Sequence, residues 1–404
     1  MSIRIVHVDL DAFFVEVCRQ VDPSLKNVDL LVVGGRRDQR GVVQSASYGA
    51  RRYGIHSGMP IARAVALCPA ATFHQGEFRH YRNASRAVRT VLKEFSPTVV
   101  MASLDEAYLD FTGTDRMHPT SLLPVAERIR DRVHAETGLD CSVGIGPNRM
   151  VAKIASEAAK PRGLLEVRPG WQEGFLAGLP LSAIPGIGPK TAKRLAELGL
   201  SDVAEVQRRS LADLERLLGP AAKSLKRRAH GHGGSTLWGR SLPKSISRET
   251  TLARDSTDRE RLERLLTLFT ARIASQLRSD GLMARTVTLK LRHGDFRTVT
   301  RQQTLSHATD LDHELRGPAQ LLFDQAFAEV LRRKRGVRLI GVGASNLVPA
   351  ETPDLFEEPA RTKQRELTSA VDRVRERFGF DAVTPASIVS MRRQKKEGKE
   401  EKEG

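Results

Sequence analysis

The chain has 404 residues, 40% hydrophobic and 28% charged, enough for two or more domains that each bury a core. No apolar run is long enough to span a bilayer, and the first residues enter a strand pattern without signal-peptide features, so a cytoplasmic location with no membrane partner is expected. An excess of 65 Lys and Arg over 48 Asp and Glu, a formal charge of +17, suits a polyanionic partner, and three distant cysteines offer neither a disulfide framework nor a CxxC metal site.

In chain order, Ile3 to Asp9 alternates like a strand, and Asp11 is placed to cap a helix running through Phe14, Val17 and Cys18. Strands at Leu30–Val33 and Val42–Ala46 and a helix near Ile61–Leu67 form an inserted lobe, followed by a longer helix over Phe78–Phe95. Thr98–Ser103 and Ala107–Phe111 read as a hairpin with Asp105-Glu106 at its turn. A helix at Leu122–Glu136, a strand at Cys141–Ile145 and a helix at Arg149–Ala159 complete a split βαβ layout. From Trp171 to Ala229 the pattern is all helical in short segments, and Gly231–Ser235 reads as a flexible boundary, with His230 and His232 solvated within it. Beyond it a βαββαβ unit is expected: strands at Ser245–Leu252, Thr286–Arg292, Arg297–Thr304 and Val337–Ala344, and helices at Arg259–Ser279 and Leu311–Arg332. Lys290, Arg292, Arg297 and Arg301 are expected to share one sheet face suited to a nucleic-acid backbone. The tail is Pro- and Glu-rich over residues 349–361, with an amphipathic helix possible at Leu367–Phe378 and a disordered, charged end.

Asp9 ends the first strand and Asp105-Glu106 sit at the hairpin turn, points that a split βαβ sheet can bring to one end. Three clustered carboxylates repel unless cations compensate, so the trio predicts hard metals such as Mg²⁺. Two ions about 3.5–4 Å apart would activate an attacking oxygen and stabilise a leaving phosphate. Phe13 and Phe14 follow on the first helical turn, one free to pack inward while the other faces the site. Tyr48 and Arg51, one helical turn apart, can grip a triphosphate, and Lys160 can add a phosphate contact or simply complement a helix C-terminus. In Ile184-Pro185-Gly186-Ile187-Gly188-Pro189-Lys190, Gly186 and Gly188 let the backbone approach a phosphate at a helix N-terminus, with Lys190 beside it.

Val8-Asp9-Leu10-Asp11-Ala12-Phe13-Phe14, Ser45-Ala46-Ser47-Tyr48-Gly49-Ala50-Arg51, Ser103-Leu104-Asp105-Glu106-Ala107-Tyr108-Leu109-Asp110 and Ala152-Lys153-Ile154-Ala155-Ser156 resemble the Y-family DNA polymerases, most closely their DinB type. The resemblance implies an α+β right hand: a ferredoxin-like palm (1–11 and 78–168), small fingers (12–77), a helical thumb with a helix-hairpin-helix (169–234), a linker (235–245), a βαββαβ little finger (246–348) and a flexible tail (349–404). It implies that Asp9, Asp105 and the Leu10 backbone carbonyl ligate two Mg²⁺ ions and that Glu106 is the essential carboxylate, itself a metal ligand. Phe14 would be the sugar gate; Phe13, Tyr48, Arg51 and Lys160 would bind the nucleotide. Gly186, Gly188, Lys190 and the four basic sheet residues would bind DNA. Primer-template DNA, dNTPs and a sliding clamp are the implied partners of a monomer that copies damaged template with low fidelity and no proofreading.

Two departures stand out. Val42 and Gln44, which should line the nascent base pair, are bulkier than in some relatives, and the tail lacks a Gln-initiated clamp peptide, leaving Leu355 and Phe356 as the candidate anchor. A non-catalytic scaffold is disfavoured because all three carboxylates are present. A structure-specific nuclease is disfavoured by Phe14 and by the set Tyr48, Arg51 and Lys160.

Overall fold

Six consecutive buried residues make β1 (Ile5–Leu10) the centre of a five-stranded sheet. It pairs antiparallel with β6 (Glu106–Asp110) on one side and β7 (Cys141–Gly146) on the other; β5 (Val99–Met101) and β8 (Leu164–Glu166) form the edges. The structure, a computed structural model, describes residues 3–234, 242–333, 335–350 and 359–385. Two compact units, Met1–Gly239 and Arg240–Gly404, make up the chain, giving the α+β multidomain class expected from sequence.

Alternation along β1 sorts the sheet into two faces. Val6, Val8 and Leu10 point into a core shared with α1 (Phe13–Val21), α4 (Phe78–Leu92) and α5 (Leu123–Thr137). Ile5, His7 and Asp9 point the other way, toward α6 (Arg149–Ala158). Of residues 12–77, expected as the fingers, α1 packs on the large sheet: its buried side chains Phe13, Val15, Val17 and Cys18 all join that core. The lobe has its own core around Val32, Val43, Ala46, Ile61 and Ala64. In it β2 (Leu31–Val33) lies between β3 (Ser45–Ala46) and β4 (Thr72–His74), with α2 (Tyr48–Arg51) and α3 (Ile61–Leu67) attached. The predicted strand at Val42–Ala46 shrinks to β3, and Val42 makes only an isolated bridge to Pro60.

Five short helices follow: α7 (Gln172–Ala177), α8 (Pro189–Glu197), α9 (Val203–Arg208), α10 (Leu211–Leu218) and α11 (Ala221–Ala229). A capping box between Asp202 and Glu205 starts α9. At its far end the ammonium of Lys226 on α11 donates to the carbonyls of Val206 (3.2 Å), Gln207 (2.7 Å) and Arg209 (2.6 Å). A cation here satisfies carbonyls that a helix end leaves open and complements its dipole. Lys226→Met should therefore destabilise this unit by about 1–3 kcal/mol, read as a lower urea midpoint; an unchanged midpoint would mean that water replaces the clasp at no cost.

The expected flexible boundary at Gly231–Ser235 is corrected over its described part. Asn148 caps α6 through the Val151 N–H and donates its amide to the Gly231 carbonyl at 2.7 Å, while His230 pairs with Glu173 at 2.9 Å rather than standing in solvent. Two polar residues with partners in place hold the chain here.

The second unit has β9 (Ser245–Ser256), α12 (Arg259–Ser279), β10 (Leu282–His293), β11 (Thr298–Thr309), α13 (Asp312–Arg333) and β12 (Val337–Pro349) in the sheet order β11-β10-β12-β9. The βαββαβ order is as predicted, with β9, β10, β11 and β12 each running four to five residues longer because antiparallel pairing continues past the apolar stretches. The shared basic face is corrected. Lys290 and Arg292 sit opposite Thr300 and Thr298, whereas Arg301 sits opposite the core residue Leu289 and so lies on the helix side of edge strand β11. Arg297 also turns to the helices, 3.7 Å from Glu329 of α13, and Lys290 is paired with Glu249 at 2.8 Å. The tail expected to be flexible contains α14 (Pro359–Phe378), a longer helix than predicted. It docks on α12 through Asp372, which accepts from Arg278 at 2.5 Å.

Candidate active site

The face of the first sheet that carries His7 and Asp9 is built for a close helix. Gly144 on β7 has no side chain there, and a Cβ would strike the Ala152 carbonyl and the Ser156 N–H. Its absence lets α6 lie against the strands. Asp9 and Glu106 are directly opposed residues of β1 and β6, so their side chains emerge side by side under that helix.

Each carboxylate has a lysine. Lys160 Nζ stands 2.8 Å from Asp9 Oδ1 and 2.7 Å from Glu157 Oε2, and Lys153 Nζ stands 2.5 Å from Glu106 Oε1. Lys153 lies on α6 and Lys160 in the loop just past its end at Ala158, so the helix and the chain leaving it bring both ammonium groups to the carboxylate pair. Burial raises the Asp9 carboxyl to about 6, against the pull of Lys160, since only 5% of the residue is exposed. Glu106 goes the other way, to about 2, through the His7 imidazole directed at it and the Lys153 ammonium, against the opposing effect of burial. His7 Nε2 is 3.7 Å from Glu106, too long for a hydrogen bond, and burial holds the His7 ring below its ordinary value. Lys153 therefore supplies the charge in this contact. Lys160 itself is raised: burial opposes its charge, but Asp9 and Glu157 outweigh that.

Asp105 does not converge with the other two. Its carboxylate accepts from Ser103 Oγ in its own turn, while its backbone carbonyl takes the Leu10 N–H at 2.9 Å, which seats the residue beside Asp9. Among the described residues no three His, Cys, Asp or Glu side chains stand close enough to hold a metal ion. The donor chemistry still fits a hard cation. Asp9, Glu106 and Asp105 are all oxygen ligands, and the buried Asp9 carboxyl bears a desolvation cost that a cation would offset.

Phe13, expected as a nucleotide contact, is buried at 2% exposure in the core, so its side chain is withdrawn from the site. Phe14 is half-buried, its ring set edge-on to Tyr81 at 4.7 Å and to Phe13 at 5.3 Å. On α2, Ser47 caps the helix through the Ala50 N–H, and the Arg51 guanidinium lies 4.8 Å above the Tyr48 ring. Arg51 Nε is anchored on the Ala46 carbonyl at 3.0 Å. Burial and the Asp11 carboxylate raise the Tyr48 phenol to about 12, so it remains a donor at neutral pH. Asp11 does not cap α1; the N-cap is Ala12, in a left-handed conformation with no side-chain bond. Val42 is exposed, and Gln44 keeps a buried side-chain oxygen without a partner among the described residues.

Gly186 takes φ 88° at the turn before α8, a conformation that favours glycine, and Gly188 is the α8 N-cap with open space around it; Lys190 follows, exposed. Between α6 and α11 opens a cleft of about 670 Å³ whose lining includes Arg149, Lys153, Lys223, Arg227 and Arg228. Lys153 thus faces both the carboxylate pair and this basic cleft. Sequence reasoning gave Lys153, Arg149 and His7 no role, although Lys153 lies within one of the four motifs that carry the resemblance.

Residues 8–157 match the impB/mucB/samB family, residues 243–355 that family's C-terminal domain, and residues 172–200 the IMS family HHH motif. DNA polymerase IV of Dehalococcoides mccartyi (strain CBDB1) is 40% identical over 384 residues, covering 95% of this chain and 97% of that protein. A solved Y-family DNA polymerase chimera aligns with TM-score 0.71 and 26% identity over 86% of this chain and 99% of its own. An insertion ternary complex of Dbh DNA polymerase aligns with TM-score 0.57 and 25% identity over 86% of this chain and 100% of its own.

Proposed function

Since the chain belongs to the impB/mucB/samB family, and within it to the DinB type of Y-family DNA polymerases, we propose that it extends primers across damaged template by two-metal-ion nucleotidyl transfer, with Mg²⁺ and without proofreading. It is a DNA-directed DNA polymerase, and its substrates are primer-template DNA and dNTPs. No helix among the described residues is long and apolar enough to cross a membrane; we place the enzyme in the cytoplasm as a monomer. The observation that carries the mechanism is the pairing of Asp9 and Glu106 on adjacent strands beneath α6, with Lys153 on that helix meeting Glu106 and Lys160 in the loop past its end meeting Asp9.

In this reading the five-stranded sheet is the palm, the lobe around β2 the fingers, α7–α11 the thumb and the second unit the little finger. Asp9, Asp105, Glu106 and the Leu10 carbonyl would hold the metal ions. When bound, those ions supply Lewis acidity to the primer 3′-oxygen and to the departing pyrophosphate. The protein's own groups do the rest. Tyr48, Arg51 and Lys160 bind and orient the triphosphate, so that the α-phosphorus faces the primer terminus. Phe14 excludes a 2′-hydroxyl by occupying its space. Gly186, Gly188 and Lys190 hold DNA phosphates at the start of α8, and Lys290 and Arg292 contribute from the open face of the little finger; Arg297 and Arg301 contribute from its edge.

Purified protein with Mg²⁺ and four dNTPs should extend a primer on intact and lesion-bearing templates and leave a mismatched 3′ end unshortened. No extension, or 3′ shortening, would reject the reading. Leu355 and Phe356, proposed as the sliding-clamp anchor, lie outside the described residues. Replacing both with Ala should reduce extension only on clamp-loaded DNA, because tethering acts through effective concentration. Equal clamp stimulation of variant and wild type would reject this assignment.

A further inference from the structure

Asp11 is 4% exposed, yet none of the roles above uses it. Its carboxylate gathers donors from three separate parts of the first unit. Ser142 Oγ, on β7, lies 3.0 Å from Oδ1 and 3.1 Å from Oδ2. The Arg162 backbone N–H, in the loop after α6, donates to Oδ2 at 2.8 Å. The Tyr48 hydroxyl, on α2 of the inserted lobe, donates to Oδ1 at 3.4 Å. The backbone on both sides of this knot is set in the left-handed region: Ala12 at φ 47° and Arg162 at φ 51°. Non-glycine residues stay in that region only where their surroundings hold them, and here the carboxylate is the common point of attachment.

Two of these donors, the Tyr48 hydroxyl and the Arg162 N–H, belong to the elements that carry the groups assigned to the triphosphate. Arg162 is two residues from Lys160, so the loop pinned by Asp11 is the loop that aims Lys160 at Asp9. The Tyr48 hydroxyl is one end of a ring whose face carries the Arg51 guanidinium. All the donors named are neutral, so the charge of Asp11 is satisfied by directed hydrogen bonds, a fixed and angular arrangement. We propose that Asp11 is a positioning residue that registers Tyr48, with Arg51, and the Lys160 loop to one another, and so presets the spacing of the triphosphate grip. This rests on the proposed role of Tyr48 and Lys160.

Asp11→Asn keeps the size of the side chain but cannot accept at both positions. Losing an acceptor for a buried donor should raise the KM for dNTP about tenfold, with kcat changed much less. Affinity for primer-template alone should be unchanged, and dNTP affinity measured on a dideoxy-terminated primer should fall by the same factor as KM rises. Ser142→Ala, which leaves the carboxylate in place and removes one donor, should shift KM the same way by a smaller factor, and it decides the matter if Asp11→Asn does not fold. In a Lys160→Ala, Tyr48→Phe background the Asp11→Asn effect should largely vanish. A KM at the wild-type value in Asp11→Asn, an equal fall in kcat and DNA affinity, or an undiminished effect in that background would overturn the proposal. So would a wild-type KM in Ser142→Ala. The two readings separate cleanly: if Lys160→Ala and Tyr48→Phe themselves leave KM unaltered, the triphosphate assignment fails and takes this one with it. If they raise KM and Asp11→Asn does not, the role of Asp11 alone fails.

Discussion

Glu106→Gln is expected to reduce primer extension by at least about a thousandfold, a rise of about 4 kcal/mol in the barrier. The change preserves side-chain volume and removes only the charge that β6 places beside Asp9. Lys153 loses its partner, but at 32% side-chain exposure it can return to water, so the fold should lose no more than about 1 kcal/mol. Binding of primer-template should hold at the wild-type level, since the proposed phosphate contacts, Lys190, Lys290 and Arg292 among them, do not include this carboxylate. Asp105→Ala should behave alike in direction. Undiminished extension by Glu106→Gln, with correct folding shown by an unchanged thermal midpoint, would remove Glu106 from the chemistry.

Phe14→Ala should admit ribonucleotides, lowering discrimination against them by about a hundredfold or more while dNTP incorporation persists. The structure supplies the reason that this ring can act as a wall. Phe14 is braced edge-on by Tyr81, which is itself fully buried with its hydroxyl 3.2 Å from Cys18 Sγ. A braced ring cannot swing aside, and packing that cannot relax turns one added hydroxyl into a steric cost. Phe14→Leu should fall between the two, since it keeps part of the core contact. Equal rejection of ribonucleotides by Phe14→Ala and wild type, in single-nucleotide insertion kinetics, would place the gate on another residue.

Local chemistry determined much of this protein from the sequence alone. Strand alternation around Asp9, the apolar period of α12 and the βαββαβ order of the second unit depend on neighbours along the chain, and they were legible. So was the membership of Asp9, Asp105, Glu106, Tyr48 and Arg51 in three of four ordered motifs. Tertiary structure alone decided what depends on register and approach. Asp11 reads as a helix cap because a cap is a local bond, but its partners come from residues 48, 142 and 162, which no local pattern connects. Arg301 reads as a companion of Lys290 because both lie on strands, yet pairing with Leu289 turns it to the other face, since a shift of one residue reverses every side chain. Phe13 and Phe14 are adjacent aromatics that the sequence cannot rank; a helix separates them by about 100°, and only packing against the sheet shows which one faces inward. Lys153 meets Glu106 because Gly144 admits α6 onto the strands, a contact between residues 47 positions apart in the chain. Periodicity reports what each residue does to its neighbours, whereas the carboxylates and their cations are brought together by backbone closeness between distant strands and a helix.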